Sequence, residues 1–261
     1  MRVLNAYRKD SHNVGDQVCA PHLYFPGLHA EPITFRDASD ALCDVLIVGG
    51  GVKAQAPPNK AKTVIGWGIG ASAGKCGLAT IDPSYQFAGV RDYRLAANSK
   101  NAQWVPCVSC MSPLFDRKRA IERDLLIYFN SDIAVPKGTV EACIKAGLPF
   151  HSNRIPFESA VDFLASARVV VTNSYHGAYW ATLLGRAVVI VDAYSSKFYD
   201  FPWPLRVVEK GEDWQQVARE TLKDYKDQRE TRICPDALDL CRTETLRFCN
   251  RIIRMLFRMA C

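Results

Sequence analysis

The pattern of apolar and polar positions is clearest between residues 167 and 197. Residues 168–172 and 186–192 are apolar, β-branched runs, which predict two buried strands. The segment between them has apolar residues at helical spacing, with Ser174 as a favourable N-cap and Gly185 as a favourable C-terminal stop. We therefore predict a βαβ unit with parallel strands and a right-handed connection.

A polar cluster, Asn-Ser-Tyr-His-Gly at residues 173–177, falls where the first of these strands ends and the helix begins. Ligands of open α/β sheets bind at the carboxyl ends of strands. The N–H groups and the dipole of a helix N-terminus also attract anions. His176 in this place either meets a bound anion and moves a proton, or only hydrogen-bonds within the helix start.

Similar apolar runs recur through the first half of the chain, and most of them end in a glycine-rich or polar motif. A helix is expected from Asp16 to about residue 25, and a shorter one over residues 93–100. Glycines 49–51 let a ligand or another backbone approach a strand end closely. The predicted strands of this half are residues 3–7, 43–48, 63–65, 85–90 and 104–108.

Two further motifs of the first half have more than one interpretation. Arg91 directly follows the fourth predicted strand, where an arginine clamps a phosphate or carboxylate, or pairs with a neighbour such as Asp92. Residues 66–71 match the G-x-G-x-x-A pattern of dinucleotide-binding proteins. That pattern normally follows the first strand of its unit and here follows the third, so a dinucleotide is the least favoured ligand.

A charged stretch over residues 113–124 separates these strands from a second group. We place the domain boundary there, with a first domain over residues 1–118 and a second over residues 119–234. Besides the βαβ unit, the second domain is predicted to contain strands at 125–130, 150–152 and 205–208 and helices at 139–146, 156–165 and 213–229.

Residues 235–261 predict one long basic amphipathic helix. At about 100° per residue, one face carries Arg247, Arg251, Arg254 and Arg258. The opposite face carries Cys249, Ile252, Ile253, Leu256 and Ala260. Such a helix either packs on its own domains with its arginines in solvent, or contacts an anionic membrane surface.

Composition narrows the function classes. A chain of 261 residues with 48% hydrophobic and 23% charged residues is long enough for two α/β domains and is not disordered. The net charge of +6 suits an anionic substrate or surface. Nucleic acid is not favoured, because the sequence has no Lys/Arg block and no nucleic-acid motif.

The cysteines and the N-terminal residues indicate the cellular compartment in which the protein is expected. The ten cysteines are scattered and mostly lie in apolar segments, as core thiols of a reducing compartment do. Cys107 and Cys110 form a C-x-x-C pair, which leaves a redox pair open as an alternative to core thiols; a zinc site is less favoured, because it needs a second such pair. No signal-peptide core and no run of roughly 18 apolar residues is found. We expect a soluble, cytoplasmic protein, or one bound peripherally to the inner face of the cell membrane.

Six features follow one another along the chain: N-V-G-D at 13–16, V-G-G-G at 48–51, G-W-G-I-G at 66–70, G-V-R-D at 89–92, N-S-Y-H-G at 173–177 and then Lys197. In this order they resemble the motifs of the polysaccharide pyruvyl transferase family, particularly its short members that act in exopolysaccharide synthesis. The resemblance spans about residues 1–200 and implies a GT-B-like fold, with two Rossmann-like parallel-sheet domains facing a cleft. It implies phosphoenolpyruvate as donor and the hydroxyl pair of an oligosaccharide acceptor, free or lipid-linked.

The resemblance also implies roles for individual residues. His176 falls on the family's catalytic histidine, Arg91 on its donor-binding arginine, and Lys197 on a basic residue after the next strand. Arg91 comes from the first domain and the other two from the second, so the donor is expected in the cleft. Ser174, Tyr175 and Gly177 would complete the donor site. Residues expected to line the acceptor side or the cleft are Asn13, Asp16, Gly50, Gly51 and Gly68.

The residue types suit this reaction independently of the resemblance. Phosphoenolpyruvate carries a carboxylate and a phosphate, which require fixed cations and a helix N-terminus. A histidine is suited to relay the protons of ketal formation. Because side chains supply the cations, neither a metal nor a cofactor is expected.

Two other classes remain open at this point. The first is a GT-B glycosyltransferase that uses a nucleotide sugar, for which Glu158 and Glu209 are ambiguous candidates. The second is a non-catalytic, membrane-associated binding protein that uses its basic helix. A scaffold has no need for Arg91, His176 and Lys197 together, which disfavours the second class.

Overall fold

The computed structural model describes residues 1–51, 53–71, 80–133, 141, 145–203, 205–227 and 234–261. These residues form two compact units. The first unit consists of Met1–His12, Asp16–Ser112 and Asp239–Cys261, and the second of Asn13–Gly15 and Pro113–Leu238. The helix predicted over residues 139–146 lies largely outside the described residues.

The first unit is built on a parallel sheet with six strands among the described residues. Its strands are β1 Val3–Tyr7, β2 Glu31–Thr34, β3 Val45–Gly49, β4 Thr63–Ile69, β5 Phe87–Val90 and β6 Ala102–Trp104, in the order β2-β1-β3-β4-β5-β6. Leu46 and Val48 lie in one core, and Val45 and Ile47 in the core on the other face of the sheet. Burial on both faces explains why the central strands are continuous apolar runs.

The second unit has its own parallel sheet, with five strands among the described residues. They are β7 Arg123–Phe129, β8 Phe150–Ser152, β9 Ala167–Thr172, β10 Ala187–Ile190 and β11 Arg206–Val207, in the order β11-β10-β9-β7-β8. The helices that flank them are α3 Phe157–Ala165, α4 Tyr175–Leu183 and α5 Trp214–Lys226. In the first unit, α1 is Val14–Gln17 (shared with the second unit at its start) and α2 is Tyr93–Ala97.

The βαβ unit predicted around the polar cluster is confirmed. β9 and β10 pair in parallel, and α4 connects them. Gly185 follows the helix with a φ of 68°, the left-handed conformation that ends helices. Two parallel-sheet α/β domains are therefore present, as the sequence predicts.

The last helix, α6 Ala237–Ala260, packs on the sheet of the first unit. Phe248 is fully buried and meets the rings of Trp67 and Phe87 edge-on, at centroid distances of 5.1 and 5.7 Å. Ile253 and Ala260 were expected on the buried face but are exposed. The sheet covers a narrower arc of the helix than the sequence pattern suggested.

Two other predictions for the first unit are wrong, and one strand was missed. The helix expected from Asp16 to about residue 25 is only α1, followed by 3-10 turns at Pro21–Leu23 and Pro26–Leu28, because each proline interrupts the helical hydrogen bonds. Residues 104–108 are not a strand: β6 ends at Trp104, and a 3-10 turn begins at Val108. Strand β2 was not predicted.

The dinucleotide interpretation of residues 66–71 is also contradicted. Gly66 and Gly68 lie inside strand β4, where Gly66 is paired with Val48 and Ala88. A dinucleotide fingerprint places its glycines in the turn between a strand and a helix. Gly68, with a φ of 61°, instead belongs to an irregularity in the β4–β5 pairing.

None of the helices in the described part of the chain is long and apolar enough to cross a membrane.

Replacing Phe248 by alanine should destabilise the first unit by about 3–5 kcal/mol, because it removes a fully buried ring from the core under α6. The measurement is the urea unfolding midpoint, followed by circular dichroism. Phe257→Ala on the same helix is the matched control: that ring is 72% exposed, so its removal should change stability by less than about 0.5 kcal/mol. Equal effects of the two variants would contradict the packing described.

Candidate functional site

In the second unit, the polar residues singled out from the sequence gather at the carboxyl edge of the sheet. Thr172 ends β9, and its hydroxyl donates to the carbonyl of Tyr128 (2.5 Å) and accepts from the N–H of Ser174 (2.9 Å). Ser174 is the N-cap of α4, and its Oγ accepts from the N–H of Gly177 at 3.2 Å. The Thr172 hydroxyl thus links the start of the helix to the backbone of the neighbouring strand β7.

His176 lies in the first turn of α4 and is only 5% exposed. Its ring packs against Trp180, at a centroid distance of 5.3 Å, and meets Tyr175 edge-on at 5.5 Å. Gly15 also lies against the imidazole: a Cβ there would be 2.1 Å from Nδ1 and 2.4 Å from Cγ. Contacts with two aromatic rings and a glycine backbone therefore clamp the histidine.

Gly177 has a packing role that the sequence did not reveal. A Cβ at this position would lie 2.6 Å from both Thr172 Oγ1 and Tyr128 Cδ1. Only glycine lets the first turn of α4 approach the strands this closely. Its N–H already donates to the Ser174 cap, so packing and capping both account for this residue.

Lys197 is a buried cation at the same edge. It lies in a 3-10 turn, Ser196–Phe198, that follows β10, and it is 7% exposed. Its ammonium donates to the hydroxyl of Tyr194 at 2.8 Å and lies 4.6 Å from the centre of that ring. Burial of a lysine requires such partners, because an ammonium group is expensive to remove from water.

Three asparagines connect the strand ends to this lysine. Asn173 Oδ1 accepts from the backbone N–H of Asn130 at 2.7 Å. Asn130 Oδ1 accepts from Asn153 Nδ2 at 2.9 Å, and Asn130 Nδ2 donates to the Tyr194 hydroxyl at 3.2 Å. Since these residues directly follow β9, β7 and β8, the network joins three strands to the turn that carries Lys197.

Segment Asn13–Gly15 belongs to this unit as well. Asn13 Nδ2 donates to Asp132 Oδ2 at 3.1 Å, and Asn13 Oδ1 accepts from the N–H of Gly15 at 3.0 Å. The N–H of Val14 donates to the carbonyl of Asn153 at 2.8 Å. These bonds hold the backbone of Gly15 against His176.

Arg91 lies in the first unit, directly after β5, and is 4% exposed. A Cβ on Gly70 would lie 2.5 Å from Arg91 Nε, so this arginine also rests on a glycine. The neighbouring carboxylate, Asp92, accepts from the backbone N–H of Ala71 at 2.5 Å. Arg91 thus stands at the carboxyl edge of the first sheet, as its position after a strand predicted.

The remaining residues expected to line the acceptor side have local structural partners. Asp16 accepts from Ser11 Oγ and forms an ion pair with Arg8. The glycines among them, Gly50, Gly51 and Gly68, all have positive φ angles. A Cβ on Gly50 would lie 2.2 Å from Cys19 Sγ. These contacts explain the residue types, and a role for them toward an acceptor remains a prediction.

The C-x-x-C pair is buried and reduced. Burial raises the pKa of the Cys107 thiol, which keeps it protonated and unreactive. The carbonyl of Cys110 accepts from Arg242 of α6 at 3.0 Å, which gives this turn a structural role. No group of three or more His, Cys, Asp or Glu side chains within the described residues is placed to hold a metal ion.

Sequence reasoning missed Gly15, Tyr194 and the asparagines at positions 130 and 153. Asparagines that directly follow predicted strands were a usable signal for the network, because parallel strands bring their carboxyl ends to one edge. No local signal marks the contact of Gly15 with His176, since these residues are far apart in the chain.

Fold and site together define the class: a GT-B-like α/β protein of two parallel-sheet domains, with buried basic side chains at the carboxyl ends of its strands. A sequence model of the polysaccharide pyruvyl transferase family matches residues 4–195. The chain therefore belongs to this family, which makes it a transferase. No curated protein sequence matches the chain.

Two solved structures are similar to this one. AviGT4, a glycosyltransferase involved in avilamycin A biosynthesis, has a TM-score of 0.54 at 13% identity, with 98% of each chain covered. A functionally uncharacterised protein, KP1_0663 from Klebsiella pneumoniae subsp. pneumoniae NTUH-K2044, has a TM-score of 0.48 at 19% identity, covering 79% of this chain and 93% of that one. At such identities the likeness to AviGT4 shows the fold alone.

Replacing Gly15 by alanine should displace the imidazole of His176, because the added methyl would occupy the place of the ring. Overpacking of this kind destabilises a protein by about 1–3 kcal/mol. The measurement is the set of imidazole resonances of the five histidines, in which the His176 signal should shift. Gly27→Ala is the matched control, since a Cβ there meets nothing within 4 Å. An unmoved His176 signal in Gly15→Ala would refute the clamp.

Proposed function

We propose that the protein transfers the carboxyethylidene group of phosphoenolpyruvate to a pair of sugar hydroxyls on an oligosaccharide precursor, releasing inorganic phosphate. The observation that carries this proposal is the joint burial of His176 and Lys197 beside the capped N-terminus of α4. Membership of the polysaccharide pyruvyl transferase family supports the reaction class.

The chemistry of the donor accounts for the types of side chain. Phosphoenolpyruvate presents a phosphate and a carboxylate, and a desolvated cation binds such groups more strongly than an exposed one. Lys197 supplies one fixed cation, and the N-terminus of α4 supplies backbone N–H groups and a partial positive charge. Arg91 is the second cation, suited to bidentate binding of a carboxylate or phosphate.

The reaction balances with protons alone. One proton adds to the methylene carbon of the donor, which makes it a methyl group and leaves positive charge on the neighbouring carbon. A sugar hydroxyl attacks that carbon and loses its proton. The C–O bond to phosphate then breaks and the phosphate leaves with a proton, and a second sugar hydroxyl attacks the same carbon and loses its proton, which closes the ketal ring. We assign the proton transfers to His176, the side chain at the helix start that is suited to them near neutral pH.

The contacts of His176 and Lys197 fit these roles. A proton relay must be held in one orientation, and the clamp between Gly15 and the aromatic rings restricts the imidazole. Lys197 is positioned by the Tyr194 hydroxyl, which is itself fixed by Asn130. Other residues would bind the acceptor sugar. The candidates for this role remain Asn13, Asp16, Gly50, Gly51 and Gly68.

His176→Ala should lower turnover by about two to four orders of magnitude, because it removes the proton relay. Donor affinity should change much less, since the cations and the helix N-terminus remain. The assay follows phosphate release from phosphoenolpyruvate with an acceptor oligosaccharide present. His12→Ala, at an exposed histidine, is the matched control and should be close to wild type. Near-normal turnover of His176→Ala would remove the proposed mechanism.

Lys197→Ala and Arg91→Ala should each weaken donor binding by about ten- to a hundredfold, the loss of one charge-assisted contact. Binding of phosphoenolpyruvate is measured by calorimetry and checked against the KM of the donor. Lys210→Ala and Arg36→Ala remove the same kinds of charge from exposed positions and are the controls. If all four variants bind alike, the cation assignment fails.

The same binding measurements separate the alternative classes. UDP-sugars should give no calorimetric signal, whereas a protein that binds them and ignores phosphoenolpyruvate would be a nucleotide-sugar glycosyltransferase. A protein that binds neither donor would fit the non-catalytic class instead.

A further inference from the structure

The outward face of α6 carries two stripes of residues that the first unit does not cover. The arginine stripe consists of Arg247, Arg251, Arg254 and Arg258, all of them exposed. The apolar stripe consists of Leu246, Ile253 and Phe257, which are 44%, 39% and 72% exposed. At about 100° per residue the two stripes lie roughly 110° apart, and the direction midway between them points away from the sheet.

The arginine stripe also forms one wall of a groove of about 720 Å³. Gln86 and Phe87, at the start of β5, form the other wall, and all four arginines line the groove. Among the described residues that line the groove, none is Asp or Glu. Four guanidinium groups around one groove favour a phosphate-bearing group as its ligand.

The charges in this groove are unevenly satisfied. Arg247 forms an ion pair with Glu244 on the same helix. Arg251 donates to Gln103 Oε1 at 2.8 Å, and its guanidinium lies 4.4 Å from the ring centre of Phe87. Within the described ranges, Arg254 and Arg258 form no ion pair. The guanidinium of Arg251 is thus held in place, and those of Arg254 and Arg258 are available to bind an anion.

We propose that α6 is a docking surface for an anionic lipid bilayer. Phosphate groups of the lipids bind in the arginine groove, and the apolar stripe inserts at the boundary between headgroups and acyl chains. Arginine suits this role, because its guanidinium binds phosphate bidentately. An exposed apolar stripe beside a basic one is the pattern of helices that lie in a membrane interface.

The geometry lets the helix do this without leaving its own unit. Phe248, Cys249, Ile252 and Leu256 stay buried against the sheet, while the opposite face meets the bilayer. An acidic polysaccharide would also pair with the arginines, but such a polar polymer would not bury the exposed apolar side chains of Phe257 and Ile253. The apolar stripe therefore favours a bilayer. This inference is independent of the proposed pyruvyl transfer.

The experiment measures co-sedimentation of the full chain with large unilamellar vesicles at low salt. Vesicles of phosphatidylglycerol and phosphatidylcholine should bind the protein, vesicles of phosphatidylcholine alone should not, and high salt should reverse the binding. Arg254→Gln combined with Arg258→Gln should lower the partition coefficient by roughly 25-fold, about fivefold per arginine. Phe257→Ser should lower it by about tenfold.

The matched control is Arg36→Gln combined with Lys100→Gln, which removes the same net charge from exposed positions of the first unit. This variant should bind within about twofold of wild type. Circular dichroism and thermal unfolding confirm that every variant is folded. An equal loss of binding in the control would show that overall charge, and not α6, drives association, and would overturn the proposal.

Two soluble probes distinguish other occupants of the groove. Glycerol 3-phosphate, studied by calorimetry, tests a free phosphate compound, and alginate tests an acidic polysaccharide. We do not expect either probe to lose affinity both in the Arg254→Gln, Arg258→Gln double variant and in Phe257→Ser. Arginine-dependent binding of either probe, together with equal sedimentation on neutral and anionic vesicles, would overturn the bilayer as occupant.

Discussion

The parallel pairing of every described strand is the constraint on which the site depends. Parallel strands all bring their carboxyl ends to the same edge of a sheet, so residues that are distant in the chain become neighbours there. In the second unit this edge collects Asn130, Asn153, Ser174 and Lys197. In the first unit it places Arg91 directly after β5. The chemistry of each unit follows from this one geometric rule.

Glycines hold the functional side chains of both units in place. His176 rests on Gly15, and Arg91 rests on Gly70, and in each case a methyl group would take the space of the side chain. A buried side chain that has backbone on one side has few rotamers left. Pre-organisation of this kind lowers the entropy lost when a ligand binds.

The sequence predicted those parts of the fold that have a strong local signal. The βαβ unit around α4, strands β1 and β8, and helices α3 and α6 have clear periodicity and caps, and the structure has them within a few residues of the expected positions. Strand β2 was missed because its Glu-Pro-Ile-Thr sequence is short, half-exposed and lies at the edge of the sheet.

The parts of the site that were missed depend on tertiary contacts. Asn173, Ser174 and His176 were recognisable, because they follow a buried strand and open a helix. Gly15 contacts His176 only after the chain has folded, and its motif suggests no more than a turn. The glycines at residues 49–51 predicted a close approach by a ligand or by another backbone. In the structure, the group that lies close to Gly50 is Cys19, which belongs to the same unit.

The position of α6 has a consequence for how the protein is synthesised. The core beneath the first sheet, around Trp67 and Phe87, is closed by Phe248, which lies more than one hundred residues further along the chain. At a typical rate of about 5–20 residues per second, the ribosome needs roughly 6–25 s to make the intervening segment Pro113–Leu238 of the second unit. During that time the nascent first sheet exposes an apolar face with no partner. The first unit therefore completes its core only after the second unit has been synthesised.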